Sequence, residues 1–473
     1  MVQTLTNTTG SSISTEAVDA FARELRGKVI RPSDSGYDAA RAVFNGMIDR
    51  QPGLIARPAD TADVQRCVKF AREHDLLVSL NCGGHSVQGY GVCDGGLMID
   101  FGLMKQVKVD PQSRIAVAEA GVNWGELDAA SQEHGLAVTG GRNPTTGIAG
   151  LTLGSGSGWL ERKLGYTVDN LLGCEIVTAD GQVLHASESE NADLFWGLRG
   201  GGGNFGIVTK FEYRLHPIGP IIYGGQYAFP RIPAVLKAYR DFMESAPDDV
   251  GGAAALLTAP HEEFVPPPVR GMPVMGVVVC YTGKPEDGPA AYKPILDLNP
   301  ALNMAQPMPY TAVQAMLEPG QPHGMRNYWK ADMYPEMPDE ALDALMEAAS
   351  APPSPLNTII VQPLGGAVHR VSEDATAMGW RKAKWALHIL GMWESPADDE
   401  KNIEWVRNID RVMKPWAQEA AYLNYLMDEG DQRIKDSFGA NYDRIVALKN
   451  KYDPTNFFRL NQNIKPSNGN GHK

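Results

Sequence analysis

Residues 81–91 read NCGGHSVQGYG, and a strand-like run, Leu76 to Leu80, leads into them. Gly83 and Gly84 allow backbone angles closed to other residues and let the main chain approach a ligand closely. Successive amide N–H groups in such a turn form a concavity that suits an anion such as a phosphate. His85 then sits at the lip of that concavity. Taken alone, the triplet reads first as a plain turn with a hydrogen-bonded histidine. Upstream, Asp60 reads as an N-cap with Asp63 in the first helical turn. Val64, Cys67, Val68 and Ala71 then recur at i, i+3, i+4 and i+7, which is one apolar helix face. Helix, strand and glycine turn therefore follow one another. A further strand, Leu97 to Ile99, ends at Asp100.

The chain has 473 residues, enough for two domains with ample core. Its net charge of −13 argues against nucleic acid or an anionic membrane surface as the main partner, since both need a basic face. No apolar run is long enough to span a bilayer. The leading MVQTLTNTTGSSISTE is polar, without the regions of a signal peptide, and reads as a disordered lead. Cys67, Cys82, Cys93, Cys174 and Cys280 are odd in number and spread out, with no CxxC. Reduced thiols in a cytoplasm are expected, although Cys82 and Cys93 bracket the glycine turn and are candidates to pair in an oxidising setting. The histidines show no metal-ligand spacing, so no metal is expected.

The 50 glycines cluster at 83–96, 140–158 and 200–206. A strand at 115–122 and a capping box opening at Asn123 precede a helix that stops at Gly135. From Thr139 to Gly158 glycine is too frequent for a stable helix interior or a packed strand. A loop against a flat ligand accounts better for it, with Ile148, Leu151 and Leu153 as apolar anchors. Glu175 to Leu184 reads as a hairpin with an Asp180-Gly181 turn. Gly201, Gly203 and Gly206 formally satisfy G-x-G-x-x-G. A helix (193–198) precedes them and a strand (207–215) follows, the reverse of a Rossmann site, so that reading is rejected. Beyond Pro217 strands at 274–281 and 358–362 alternate with helices at about 233–245, 339–350 and 373–388. This predicts an α+β region, a sheet with helices over one face, with a boundary near 218. A helix at 441–451 is stopped by Asp453-Pro454.

Taken in order, GGHSVQGYG (83–91), GLMIDFGLMKQVKVD (96–110), GGRNPTTGIAG (140–150), GWLERKLGYTVDNLLGCEIVTADG (158–181), DLFWGLRGGGGNFGIVTKF (193–211), Tyr422-Leu423-Asn424 and KYDPTNFFRLNQNIKP (451–466) resemble the FAD-linked oxidases of the vanillyl-alcohol oxidase superfamily, in the berberine-bridge-enzyme-like branch. The resemblance implies an α+β fold: a bipartite PCMH-type FAD-binding domain from residues 1–217 and 425–473, and an inserted α+β substrate domain, 218–424, whose antiparallel sheet covers the flavin. It implies that His85 bonds covalently to the flavin 8α-methyl group. Cofactor contacts are implied for Cys82, Gly83, Gly84, Ser86, Gly89, Gly141, Asn143, Thr145, Thr146, Gly147, Gly150, Gly154, Gly158, Gly206, Val208, Asn461 and Asn463. Many relatives carry a second attachment, a cysteine just before Pro-Thr. Here Asn143 precedes Pro144-Thr145, so a single covalent link is expected. Asn81-Cys82 also departs from the arginine and glycine common in relatives, and Thr146 matches a position linked to oxygen access.

Hydride transfer from an alcohol, amine or phenolic centre needs a base for the departing proton. The resemblance implies Tyr422 in that role, with Tyr425 and Asn424 beside it. An ordinary tyrosine titrates near pH ~10, so local stabilisation of the phenolate is required. Asn424, Gln362, His369 and Arg370 are candidates to face the ring from the sheet, with Arg370 read rather as an exposed or ion-paired residue than a catalytic one. The expected activity is an oxidase acting on a carbohydrate or small secondary metabolite, with O2 as acceptor and hydrogen peroxide as product, in a monomer or homodimer. A dehydrogenase of the same fold with another acceptor, or a flavin-binding protein without turnover, are the alternatives.

Overall fold

A computed structural model describes residues 4–263 and 265–467. Leu54–Arg57, the helix Thr61–Glu73, Val78–Asn81 and Leu97–Asp100 make a small sheet in which the last two strands and the first run parallel, with Lys28–Ile30 antiparallel at its edge. The helix is capped by Asp60, whose side chain accepts from Asp63 N. Val64, Cys67, Val68 and Ala71 are fully buried, as their spacing predicts. A second sheet, all antiparallel, runs in the order Val107–Asp110, Ile115–Glu119, Ile207–Arg214, Leu171–Val177, Val183–Ser187. Its core is shared with Ile445, Leu448, Phe458 and Ile464 near the other end of the chain.

Lys449 and Asp453 join that end to the 200–206 turn. Both are fully buried, their charges 2.7 Å apart. Lys449 also donates to Asn204 O and Phe458 O, and Asp453 accepts from Phe457 N and Phe458 N.

The third sheet is the largest and is antiparallel throughout. Its main path is Leu302–Asn303, Ile221–Pro230, Pro273–Tyr281, Ala254–Thr258, Thr358–Pro363, Trp385–Trp393, Arg326–Tyr334. Helices Pro233–Ser245, Asp339–Ala348 and Asp399–Met413 pack on one face, against Ile359, Val361, Leu387 and Ile389. Side chains alternate across a strand, so Ile360, His388 and Leu390 point the opposite way.

Three expectations need correction. The run 373–388 is not a helix: Trp385–Trp393 is a strand, buried at every residue, because it pairs on both edges and is covered on both faces. Ile148–Leu153 is a short helix despite its interior Gly150. Burial of Ile148, Thr152 and Leu153 outweighs the roughly 1 kcal/mol that glycine costs there. The polar lead is ordered from residue 4 onward, with Leu5 buried and Asn7 bridged to Leu76, while its first three residues lie outside the described residues. All five cysteines are free.

Candidate functional site

Between the glycine turns and the large sheet lies a cavity of about 350 Å³. Asn81 to Ser86, Gly141 to Asn143, Thr146, Gly147, Gly150, Gly154, Gly202, Gly203, Gly206 to Val208, Phe458 and the segment Leu460 to Gln462 form part of its lining. The sheet contributes Trp329, Ile360, His388 and Leu390, joined by Leu317 and Gln321, and Tyr422 to Leu426 complete the wall. Nearly all the sequence-predicted site residues are thus brought together, although they come from opposite ends of the chain.

His85 is held from two sides. Its ring stacks on Phe44, with centroids 4.7 Å apart, and meets His323 edge-on at 5.0 Å. Its Nε2 lies 2.8 Å from Thr145 Oγ1, and that hydroxyl donates to Asn143 Oδ1 at 2.7 Å. Burial, with a smaller contribution from His323, pushes the His85 pKa down to about 3, so the imidazole is neutral at physiological pH. Asn143 Oδ1 also accepts from Thr145 N at 3.0 Å, which fixes the asparagine as an Asx turn.

The glycines divide by what surrounds them. A Cβ on Gly83 would collide with Gly147 N, and one on Gly147 with Cys82 Sγ. These two loops touch backbone to backbone, and Cys82 is packed into the seam, its Sγ 2.7 Å from Ala120 O. Its burial pushes the thiol pKa up to about 12, so it is an inert packing residue at the cavity's edge. By contrast, a Cβ on Gly150 meets nothing within 4 Å, and one on Gly203 only Asn461 Nδ2 at 4.0 Å.

Four predicted contact residues stand off the cavity lining. Gly89 makes room for Ile48, Gly158 lies against the Gly140 backbone, and Thr145 acts on His85. Asn463 lies just beyond the lining segment, and its Oδ1 is buried without a partner among the described residues. His369 and Arg370 do not face the site from the sheet. They sit on the short helix Ala367–Arg370, where His369 Nε2 contacts Ala383 O and Arg370 pairs with Asp248. Gln362 is on the sheet but behind the lining, bonded to Ser157 and Glu161.

Behind the two tyrosines is a buried polar cluster that the sequence reading missed. Arg142 donates to Tyr425 Oη at 3.1 Å and to Ser157 Oγ at 3.0 Å, lies 3.4 Å from Glu161, and covers the Trp159 ring at 4.6 Å. Tyr422 Oη accepts two N–H bonds, from Ser157 N and Asn424 Nδ2, each 2.9 Å. Burial pushes the pKa values of both tyrosines above the ordinary value, with Arg142 pulling each back. Tyr425 stacks on His388 at 3.8 Å. Burial, then Arg142, pushes the His388 pKa down to about 3. His388 was hidden by the helix assigned to 373–388. The largely apolar run WALHILGMW, bounded by Lys384 and Glu394 and without helical periodicity, was the signal that could have placed it.

Asn81 Oδ1, Asn143 Nδ2, His388 Nε2 and Asn461 Oδ1 belong to cavity-lining residues and are buried without a partner among the described residues. Buried polar groups almost always have partners, so a cluster of orphans around one cavity calls for a ligand with donors and acceptors. The open spaces beside Gly150 and Gly203 provide a cradle that side chains would fill. No group of three or more histidine, cysteine or acidic side chains among the described residues is placed to hold a metal ion. No helix among them is long and apolar enough to cross a membrane. Apolar walls with scattered polar atoms fit FAD, which combines a flat ring with a polar linker and a pyrophosphate.

Comparison with known proteins agrees. The FAD binding domain family matches residues 52–187, and the family described as berberine and berberine like matches residues 421–465. The chain is 29% identical over 461 residues to an FAD-linked oxidoreductase of Dictyostelium discoideum, covering 96% of this chain and 98% of that one. It is 30% identical over 465 residues to (R)-6-hydroxynicotine oxidase of Paenarthrobacter nicotinovorans, covering 93% and 97%. The crystal structure of 6-hydroxy-D-nicotine oxidase from Arthrobacter nicotinovorans superposes with a TM-score of 0.85 at 26% identity, over 96% of this chain and all of that one. The α+β architecture is therefore that of PCMH-type flavoproteins, and the chain belongs to the berberine-bridge-enzyme-like family of FAD-linked oxidoreductases.

Proposed function

We propose that the protein is an oxidase that takes a hydride from a small secondary-metabolite alcohol or phenolic substrate, or a carbohydrate, with O2 as final acceptor, and that FAD is joined to it by one covalent bond, at His85. FAD when bound supplies a two-electron acceptor at N5 and passes the electrons to O2, giving H2O2. In this reading residues 1–217 and 425–473 hold the cofactor, and 218–424 cover it. The observation that carries the proposal is that His85 and the pair Tyr422–Tyr425 open onto the same cavity.

Each side chain then has a task. A neutral His85 keeps a lone pair for bonding. The N–H groups of the 81–86 and 202–203 turns are suited to the pyrophosphate. Asn461 anchors the far end through its bond to Gly203 O. The tyrosine pair, backed by Arg142, takes the substrate proton. Thr146, small and at the cavity wall, leaves a path for oxygen. Trp329, Ile360 and Leu390 exclude water and favour a flat, weakly polar substrate over a sugar. A relative named for 6-hydroxynicotine supports the small-metabolite arm. The five free thiols support a reducing, cytoplasmic setting.

The test has two steps. After acid denaturation the wild-type polypeptide keeps its flavin, and His85→Ala releases it. A screen of aromatic alcohols, phenols and sugars then finds compounds that bleach the bound flavin, with equimolar peroxide formed in air. Bleaching without peroxide would mean a dehydrogenase. Release of all flavin from the wild type would remove the covalent bond from the proposal.

A further inference from the structure

We propose that Asn143 and Thr145 choose which nitrogen of His85 bonds to the flavin, and that His323 takes up the proton this bond releases. The inference rests on the covalent reading above.

Asn143 Oδ1 accepts the Thr145 backbone N–H at 3.0 Å, a donor whose identity leaves no doubt about which amide atom faces it. The same Oδ1 lies 2.7 Å from Thr145 Oγ1. An amide oxygen only accepts, so the single hydroxyl hydrogen of Thr145 is directed to it. Oγ1 must then accept from His85 at 2.8 Å. His85 therefore carries its hydrogen on Nε2 and keeps the lone pair on Nδ1. His323 Nε2 is 3.2 Å from the same hydroxyl. At rest the 2.7 Å contact with Asn143 holds that hydrogen, so His323 receives it only as Oγ1 gains the His85 proton, and the same His85 nitrogen stays free throughout. Asn143 thus orients the one tethering residue through Thr145.

The step balances as follows. A bond forms between His85 Nδ1 and the 8α-carbon of the flavin, and one C–H bond of that methyl group breaks, its hydrogen leaving as a proton to solvent and its electron pair passing to the ring. The imidazole, now substituted at Nδ1, releases its Nε2 hydrogen as a proton through Thr145 Oγ1 to His323 Nε2. The methyl carbon is oxidised and the flavin ring is reduced by two electrons, taking up two protons from solvent to match the two released. Dioxygen then reoxidises the ring, giving hydrogen peroxide. Asn143 and Thr145 are positioning residues: they act through His85.

The experiment reconstitutes full-length apoprotein with FAD in air. It follows covalent incorporation by the flavin fluorescence of acid-denatured protein and assigns the attached nitrogen by NMR of the flavinyl peptide. Non-covalent FAD uptake and the melting temperature are measured on each variant. Wild type is expected to link through Nδ1. Thr145→Val and Asn143→Leu are expected to slow linkage about tenfold, the equivalent of one lost hydrogen bond, or to yield a mixture of isomers. Thr145→Ser and Asn143→Asp, which keep the donor and acceptor, are expected to restore rate and isomer. His323→Phe is expected to slow linkage without changing the isomer. Should Thr145→Val not fold, the Asn143→Asp and Asn143→Leu pair decides. Linkage through Nε2 in the wild type, or unchanged rate and isomer in Asn143→Leu and Thr145→Val, would overturn the proposal. A wild type that binds FAD without any covalent bond would remove the covalent reading and this inference with it.

Discussion

Arg142 Nη1 donates to the Tyr425 hydroxyl across 3.1 Å, inside a site where burial disfavours any charge. A guanidinium in that place favours the phenolate and opposes the effect of burial. Tyr422 accepts from Ser157 N and Asn424, neutral donors that favour its phenolate less than a guanidinium bonded directly to the oxygen does, so Tyr425 is the better placed of the two to lose its proton. Tyr425→Phe is expected to slow substrate-driven flavin reduction by about 10²- to 10⁴-fold, the usual worth of a general base, with flavin content unchanged. The reduction rate should rise with pH as the phenol ionises. Arg142→Met raises the Tyr425 pKa further, so its rising limb moves to higher pH, whereas Arg142→Lys keeps the charge and moves it less. Stopped-flow reduction across pH, with a substrate from the screen, checks this; an unmoved limb in Arg142→Met would show that Tyr425 is not the base.

Two glycines near the cavity should fail in different ways. Gly83→Ala drives a methyl into the Gly147 backbone, and the seam between two loops has to open. The expected outcome is a lower melting temperature with or without FAD. Gly150→Val points into open space at the cavity lining. The apoprotein is expected to melt near the wild-type temperature while FAD uptake falls. Thermal melts and FAD titrations of the two variants separate a packing glycine from a cradle glycine. Equal losses of stability in both would contradict this division.

That division also shows what the sequence could reveal. The helix Thr61–Glu73, the strand after it and the turn at Gly83-Gly84 rest on local rules, namely apolar period, N-cap and glycine pairs, and all stand in the structure. His85 could be singled out because the glycine pair before it is a local signal, although Phe44, Thr145 and His323, which hold its ring, are distant in sequence. His388, Trp329 and His323 could not. His388 and Trp329 reach the cavity through strand pairing, and His323 meets His85 from a loop far from the 81–91 turn; no short-range pattern encodes which sheet face turns inward. Arg142 was legible as a residue but not as a partner: its contact with Tyr425 spans 283 positions. Gly158 and Gly89 were assigned to the cofactor because glycine is needed equally for ligand approach and for chain packing, and a sequence shows only the glycine.

Lys449 and Asp453 form an ion pair with no exposure. Removing one partner of such a pair leaves a buried charge uncompensated, which typically costs 3–5 kcal/mol. Lys449→Met is therefore expected to lower the folding free energy by about that amount, read as the midpoint of urea unfolding. The effect should also reach the site, because Lys449 holds Asn204 O and Asn204 Oδ1 receives Ile464 N beside the Asn461 segment. Weaker FAD retention is expected in partial denaturant. A loss below 1 kcal/mol would mean that the pair is relieved by rearrangement or water.

Asp128 is buried, and Gln314 donates to it at 3.0 Å while also donating to Gly141 O. Burial pushes its pKa up from the ordinary 3.8 to about 7, against a smaller opposing effect of Gln314. Between those two values the folded protein holds a proton that the unfolded chain has released. Stability from this group is complete below pH ~4 and is lost as pH rises through about 7, the reverse of a salt-bridged carboxylate. Three pH units at 1.36 kcal/mol each set an upper bound of about 4 kcal/mol. Asp128→Asn keeps the shape and removes the charge. The variant is expected to flatten the fall in melting temperature between about pH 4 and 7, the window the shift defines, and to be the more stable form at pH 8. Melts of both proteins across that range check it. A parallel fall in the two would assign the pH dependence to other groups, while a steeper fall in Asp128→Asn would reverse the sign argued for this carboxyl.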